Sequence, residues 1–329
     1  MSTLITGAAG FVGLNLTEAL LSAGRDVVVY DARPEMPEDA QRAFDGLQGT
    51  LSYVRGDVLD RDALRAALAD HDVDTVVHAA VITPGPERER DHGSRIVEVN
   101  LMGTMAMLDA AREQGVRRLL YPSSASVYGD TSFEEPRLEE TTTHPVPNAL
   151  YGIAKYAAER AVLRARELWG MDNLTARVGA VFGPWEHDTG LRDTLSGPMQ
   201  ASRSAVLGEE VVLKRPGPRD WVYAKDVANA LIALLDVRAP KHLLYNISGP
   251  QLWTVADWCE KLDATVDGFS WRYAEEGEEP TIPVGDRDRS PLATERLRSE
   301  IYQPRFDLDA SFDDYQAWIQ RTSTFWTAS

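Results

Sequence analysis

The chain of 329 residues is long enough to bury a sizeable core, as one large domain or as two lobes. Its net charge of −17 argues against nucleic acid or an anionic membrane as a partner, and no apolar run approaches the ~18 residues of a membrane span. The one cysteine, Cys259, excludes an internal disulfide and a cysteine-built metal site, and it fits a reducing cytoplasm.

The first strand begins within three residues of Met1, so no signal peptide is expected. Thr3 to Thr6 reads as that strand, and Gly7, Gly10 and Gly13 follow it at three-residue spacing. Phe11, Leu14, Leu16, Ala19, Leu20 and Ala23 then recur at helical spacing as far as Gly24, which suits a left-handed cap. A strand that turns through glycines into a helix aims backbone N–H groups and a positive dipole end at one spot, and that spot suits a pyrophosphate. Gly7 permits the tight turn, Gly10 the close approach of the ligand, and Gly13 the packing of helix on strand. Taken alone, the glycines would fit a flexible loop equally well. The strand–turn–helix context and Asp31, eighteen residues after Gly13 at the end of the strand Asp26–Tyr30, favour a dinucleotide whose adenosine ribose Asp31 would hold.

Strands and helices continue to alternate. A polar, proline-containing stretch reaches Thr50, a strand covers Ser52 to Arg55, and Asp60 opens a helix. Asp74 to Ala80 is a buried strand, Val81 to Asp91 reads as a loop, and a helix runs from about Ser94 to Gln114 with Gly115 as its stop. Arg118 to Ser123 is the next strand. Such alternation implies an α/β doubly wound parallel sheet of Rossmann type, whose ligands lie beyond the carboxyl ends of the strands. Gly7, Asp31, Asp57, Ala79 and Ser123–Ser124 all fall there. After about residue 183 the alternation weakens, and seven of the eight tryptophans follow (Trp185, Trp221, Trp253, Trp258, Trp271, Trp318 and Trp326). The expected division is a dinucleotide domain over 1–182, to which 219–249 returns, and a smaller C-terminal lobe made of 183–218 and 250–329.

Chemistry is expected at the end of the Arg118–Ser123 strand and in the helix after it. Asn148 is placed to cap a helix from Ala149 to Trp169, which carries Tyr151-Gly152-Ile153-Ala154-Lys155 near its start. Residues four apart share a helix face. A lysine cation ~5 Å from a phenol, at an effective dielectric of ~20, is worth ~3 kcal/mol, or ~2 pK units of lowering. Tyr151 would then serve as a general base near neutral pH, with Ser124 holding the substrate hydroxyl. The bland alternative is a solvated lysine whose stem covers an aromatic ring. Yet Tyr151 alone among the eleven tyrosines has a lysine four residues on.

Several motifs occur in order: Gly7-x-x-Gly10-x-x-Gly13, Asp57-Val58, His78-Ala79-Ala80, Asn100-x-x-Gly103-Thr104, Ser123-Ser124-x-x-Val127-Tyr128-Gly129, Tyr151-x-x-x-Lys155 and Arg219-Asp220-Trp221-Val222-Tyr223. In this set the chain resembles an extended short-chain dehydrogenase/reductase of the NAD-dependent epimerase/dehydratase type, from Thr3 to about Gly249. The resemblance implies NAD as cofactor and Ser124, Tyr151 and Lys155 as the catalytic trio. It places Gly7, Gly10, Phe11, Val12, Gly13, Asp31, Asp57, Val58, Ala79, Ala80 and Asn100 with Tyr151 and Lys155 around the cofactor. Thr83, Ser124, Ser126 and Arg219 are assigned to the substrate side, Arg219 toward a phosphate or carboxylate. A homodimer through the helices Ser94–Gln114 and Ala149–Trp169 is a further implication.

The departures concern the substrate. Family dehydratases carry Asp-Glu directly after the catalytic Ser/Thr, where this chain has Ala125-Ser126. Nucleotide-sugar members read Arg-x-x-Asn in the strand after the catalytic helix, where this chain has Arg177 and then Ala180. In the following loop, Trp185 to Arg192, His187 and Arg192 are candidates for a carboxylate or for extra acid/base work, or else are solvated loop residues. The six histidines are scattered without ligand-like spacing, so no metal is expected. The reading favours an epimerase of a sugar, most simply a nucleotide sugar. A net dehydrogenase of a free sugar or sugar acid is the alternative, and a dinucleotide-sensing regulator ranks below both.

Overall fold

The computed structural model describes residues 2–188 and 190–322. Trp326 and Thr189 therefore lie outside the described residues. Five elements lead into a recurring pattern: β1 (Ser2–Thr6), α1 (Phe11–Ser22), β2 (Asp26–Asp31), a short α2 (Glu38–Phe44) and β3 (Leu51–Arg55). Next come α3 (Arg61–Asp70), β4 (Val73–His78), α4 (Pro86–Val97), α5 (Gly103–Glu113), β5 (Arg118–Ser124), α6 (Leu150–Trp169) and β6 (Asp172–Val178). The chain then passes through β7 (Val181–Phe182), α7 (Gly197–Leu207), β8 (Val211–Leu213), β9 (Val222–Tyr223), α8 (Ala224–Asp236) and β10 (Leu244–Ile247). It ends with α9 (Val255–Thr265), β11 (Trp271–Tyr273), α10 (Glu295–Glu300) and α11 (Leu308–Arg321).

Seven strands form one parallel sheet in the order β10-β6-β5-β4-β1-β2-β3, which is the expected doubly wound α/β architecture. Alternate side chains explain why these strands are apolar throughout. Leu4, Val28, Val76 and Leu119 face a core shared with α3, α5 and α6, while Ile5, Val29, Val77 and Leu120 face one shared with α1 and α8. All eight are at most 2% exposed, and burying each is worth about 1.5–3 kcal/mol relative to leaving it in water. The second core runs on without a break through Phe182, Trp221, Trp253 and Trp258 to Phe312 and Trp318 of the C-terminal part. Two small parallel sheets, β7–β9 and β8–β11, carry the loops that face the carboxyl edge of the large sheet.

Local signals set most boundaries. Asp60 caps α3 by accepting the N–H groups of Asp62 and Ala63, and Gly24 and Gly170 follow their helices in the left-handed region. Two expectations are corrected. The stretch read as a loop up to Asp91 already turns helical at Pro86, because proline at the first helical position loses no hydrogen bond and Glu87 and Glu89 favour the dipole's positive end. Asn148 does not cap α6. Its side chain donates to Asp130, Ala149 is the capping residue, and Glu89 of α4 accepts the Leu150 N–H at 2.5 Å.

Candidate active site

A cavity of about 940 Å³ opens along the carboxyl edge of the sheet. The first turn builds one wall. Gly7 has φ +66° and donates its N–H to the Tyr30 carbonyl at 2.9 Å. A Cβ there would stand 2.7 Å from Ala80 Cα, and one on Gly13 would stand 2.5 Å from Ala8 Cα and from the Gly7 carbonyl oxygen. Gly10 enters α1 without a side-chain cap, so the first-turn N–H groups border the cavity with no acceptor inside the helix. Asp31, 8% exposed, ends β2 beside them, its two oxygens accepting the N–H groups of Ala9 and Arg33 at 3.0 Å each. Arg33 returns a donor to the Ala9 carbonyl. Asp57 and Val58 line the next stretch, where Arg95 of α4 pairs with Asp57 at 2.8 Å.

The opposite end of this wall is polar. Ser124 Oγ accepts the Ser126 N–H at 3.1 Å, which leaves its proton to be donated into the cavity. Tyr151 lies against it. Burial lifts the Tyr151 phenol above its ordinary value, while hydrogen bonding with Ser124, the charge of Arg192 and hydrogen bonding with Thr83 pull the other way. The Tyr-x-x-x-Lys spacing predicts that Lys155 supplies that pull, but its ammonium is turned elsewhere. Lys155 Nζ donates to the Pro122 carbonyl at 2.5 Å and lies 4.1 Å over the Tyr121 ring. Burial lowers Lys155 to about 7, with Glu159 alone opposing.

Residues from the C-terminal part close the far side. Arg219 and Arg289 both line the cavity, and neither side chain forms an ion pair with another described residue. Burial, reinforced by Arg289, lowers Arg219, and burial lowers Arg289. Arg192 also lines it, 5.2 Å over the Phe11 ring and held at 2.9 Å by the fully buried Glu186. Thr83 is zipped to the same loop, donating to the Leu191 carbonyl and accepting the Asp193 N–H.

The cavity thus gathers Gly7, Gly10, Phe11, Val12, Gly13, Asp31, Asp57, Val58, Ala79, Ala80, Thr83, Ser124, Ser126, Tyr151, Lys155, Arg192 and Arg219. Asn100 and His187 are not brought to it. The Asn100 amide is spent on both backbone groups of Ile82, at 2.8 and 2.9 Å, and so shapes the loop before Thr83. His187 turns its Nδ1 toward the Trp185 carbonyl at 2.9 Å, and burial lowers its pKa. Arg95, Arg289 and Glu89 were missed, since each reaches the site from a segment with no motif of its own, and Glu159 was missed because it lies further along the motif helix, outside the cavity.

Residues 3–248 match the model of the NAD dependent epimerase/dehydratase family. The chain belongs to that family. Among family relatives it is similar to a dTDP-glucose 4,6-dehydratase of Streptomyces niveus, 28% identical over 336 residues, covering 99% of this chain and 95% of that protein. It is likewise 28% identical to a dTDP-L-rhamnose 4-epimerase of Burkholderia thailandensis, over 96% of this chain and 94% of that one. Among solved structures, MoeE5 in complex with UDP-glucuronic acid and NAD superposes with a TM-score of 0.78 at 25% identity, covering 98% of this chain and 100% of that one. This epimerase/dehydratase-family protein is an NAD-dependent enzyme, and the wall fits its cofactor: a Cβ at Gly7 or Gly13 would collide with backbone, and the uncapped helix start and Asp31 offer donors and an acceptor where a pyrophosphate and a ribose need them.

Proposed function

We propose that the chain is a nucleotide-sugar epimerase in which Tyr151 exchanges the proton of a secondary alcohol. The observation that carries this is the pair of arginines, Arg219 and Arg289, bordering the same cavity as Tyr151 without an acidic side chain bound to either. Two half-buried cations next to each other suit a ligand with two negative charges, as in a nucleoside diphosphate. When bound, NAD supplies reversible hydride transfer. The gly-rich turn and Asp31 would hold it, with Lys155 at its reacting end. Ser124 donates to the sugar oxygen, while Tyr151, ionised where Ser124, Arg192 and Thr83 offset its burial, takes the alcohol proton as a phenolate and returns it to the same oxygen as a phenol. Lys155, whose Nζ donates to the Pro122 carbonyl, would in its charged form hold the nicotinamide ribose.

Dehydration is disfavoured because Ala125 and Ser126 leave the turn after Ser124 without a carboxylate. The second reading, a net dehydrogenase of a sugar acid, is favoured by Ala180, which borders the cavity with no polar side chain to offer a diphosphate. We further infer a homodimer through the outer faces of α5 and α6, near which Met102 and Ile153 stand 47% and 45% exposed, and a cytoplasmic location. No described helix is long and apolar enough to cross a membrane.

One plate tests the reading. Enzyme with added NAD is incubated with UDP-glucose, dTDP-glucose, UDP-glucuronic acid, free aldoses and sugar acids, and both cofactor absorbance and product isomers are followed. Isomer exchange of a nucleotide sugar at flat absorbance is expected. Steady cofactor reduction by an unphosphorylated sugar acid, with nucleotide sugars inert, overturns it in favour of the dehydrogenase.

A further inference from the structure

Helix α6 carries a third polar residue on the face that presents Tyr151 and Lys155. Glu159 lies four residues beyond Lys155, one helical turn and ~6 Å further along the axis. It is 0% exposed. Its Oε2 accepts Ser123 Oγ at 2.8 Å and Arg177 Nε at 3.0 Å, and its Oε1 accepts Arg177 Nη2 at 2.7 Å. Arg177, opposite Ser123 in the β5–β6 register, is itself fixed by the Glu140 carbonyl at 3.2 Å and lies 4.6 Å over the Tyr128 ring. Burial works against the Arg177 charge, but its pairing with Glu159 outweighs this and raises it above the ordinary arginine value.

A buried ion pair is a poor way to gain stability, because desolvation consumes most of its attraction. Its place in the fold suggests another use. Ser123 directly precedes Ser124 on β5, so one carboxylate grips the strand that carries the hydroxyl and the helix that carries Tyr151 and Lys155. The groups around Lys155 give it little else. His78 of β4 is buried and held neutral, down to about 3, by burial and by Lys155's own charge. Tyr121 of β5 offers a ring face and a phenol held well above its ordinary value by burial. Tyr151, on the same helix, carries a phenol that burial raises above its ordinary value. Arg177 of β6 lies behind Glu159, bound to it.

We propose that Glu159 is a positioning residue of this site, keeping the Lys155 ammonium charged and the Ser123–Ser124 strand end in register, with Arg177 as its clamp. The proposal rests on the reading that Tyr151 performs the proton transfer with Lys155 at the reacting end. It extends the Tyr–Lys pair into a row of three in which the innermost member touches no ligand.

The chain has five lysines, and only Lys155 is buried, so its titration can be followed by ¹³Cε NMR of lysine-labelled protein, assigned with Lys155→Met. The wild type is expected to titrate well below the ordinary lysine value of ~10.4. Glu159→Gln keeps an acceptor for Ser123 but loses the charge, and its midpoint should fall by a further unit or more, roughly tenfold in the charged fraction. The alkaline limb of the rate profile with NAD should move with it. Ser123→Ala keeps the charge and should slow turnover without moving either curve. If Glu159→Gln does not fold because Arg177 is left unpaired, Glu159→Gln with Arg177→Met removes both charges; the more distant arginine's loss offsets part of the effect, so the midpoint should still fall, but by less. A wild-type Lys155 titrating in the ordinary range, or superimposable Glu159→Gln and wild-type titrations, overturns the proposal. Failure of the underlying reading shows differently, as substantial turnover by Tyr151→Phe.

Discussion

Along β1 and β2 the cavity wall is made of backbone, whereas the wall facing it is made of side chains from unconnected segments. In the cofactor half, Gly7 and Gly13 leave no room for a Cβ, and the groups on offer are amide N–H bonds and the carboxylates of Asp31 and Asp57. In the substrate half, Arg192, Arg219 and Arg289 come from three loops and are oriented by Phe11, Trp221 and Phe133, over which their guanidinium groups lie at 5.2–5.7 Å. A backbone site tolerates little substitution at its glycines and binds one kind of ligand. A side-chain site keeps its shape while its chemistry changes one residue at a time. The same family can therefore keep NAD while its members differ in substrate.

The largest expected effect comes from the seam between the halves. Tyr151→Phe removes one hydroxyl, and turnover should fall by roughly 100- to 10,000-fold with the melting curve and NAD affinity intact. More than half of wild-type activity would remove Tyr151 from the chemistry. Next, Arg219→Met or Arg289→Met should touch the substrate half alone. With about 1.5–3 kcal/mol for a charged hydrogen bond, KM for a nucleotide sugar should rise roughly 10- to 150-fold while NAD binding, measured by calorimetry, is unchanged. If both variants bind UDP as the wild type does, the arginines do not read a diphosphate. Gly13→Ala tests the other half: overpacking against Ala8 should cost about 1–3 kcal/mol in urea unfolding and weaken NAD, and a variant as stable as wild type would show that helix and strand can part. The smallest effect belongs to Glu89→Ala. Losing this cap is worth about 0.5–2 kcal/mol, so amide exchange over residues 150–153 should quicken and turnover drop less than tenfold; unaltered exchange would deny Glu89 its part in fixing α6.

The same contrast explains what could be read from the sequence. Gly7, Gly10, Gly13 and Asp31 were legible because a tight turn, an approach and a ribose each demand one residue type at one spacing. Tyr151 and Lys155 were legible as a helical pair, although the influence of one on the other was not. Lys155's donor goes to Pro122, a backbone contact that no spacing rule reports. Asn100 looked like a ligand because it stood in a family motif, but its amide closes on Ile82. Arg289 and Glu159 were invisible for a simpler reason. Their partners lie far away in sequence or, for Glu159–Arg177, across a helix-to-strand connection, and a charged residue alone looks like a solvated surface.

The aromatic cluster beside Arg219 gives the two halves different optical properties. Trp253 and Trp258 are stacked at 5.5 Å and 22°, and Trp221, which borders the cavity, sits 5.8 Å from Trp253. At such separations excitation migrates among the indoles, so a quencher beside Trp221 is felt by the emission of all three. The cofactor wall contains tyrosine but no tryptophan among its described lining residues. Quenching of the indole emission should therefore follow the arrival of a sugar nucleotide, whereas energy transfer from the same cluster to a reduced nicotinamide should follow the redox state of the cofactor. A single stopped-flow trace in two emission channels can separate the binding step from the chemical one.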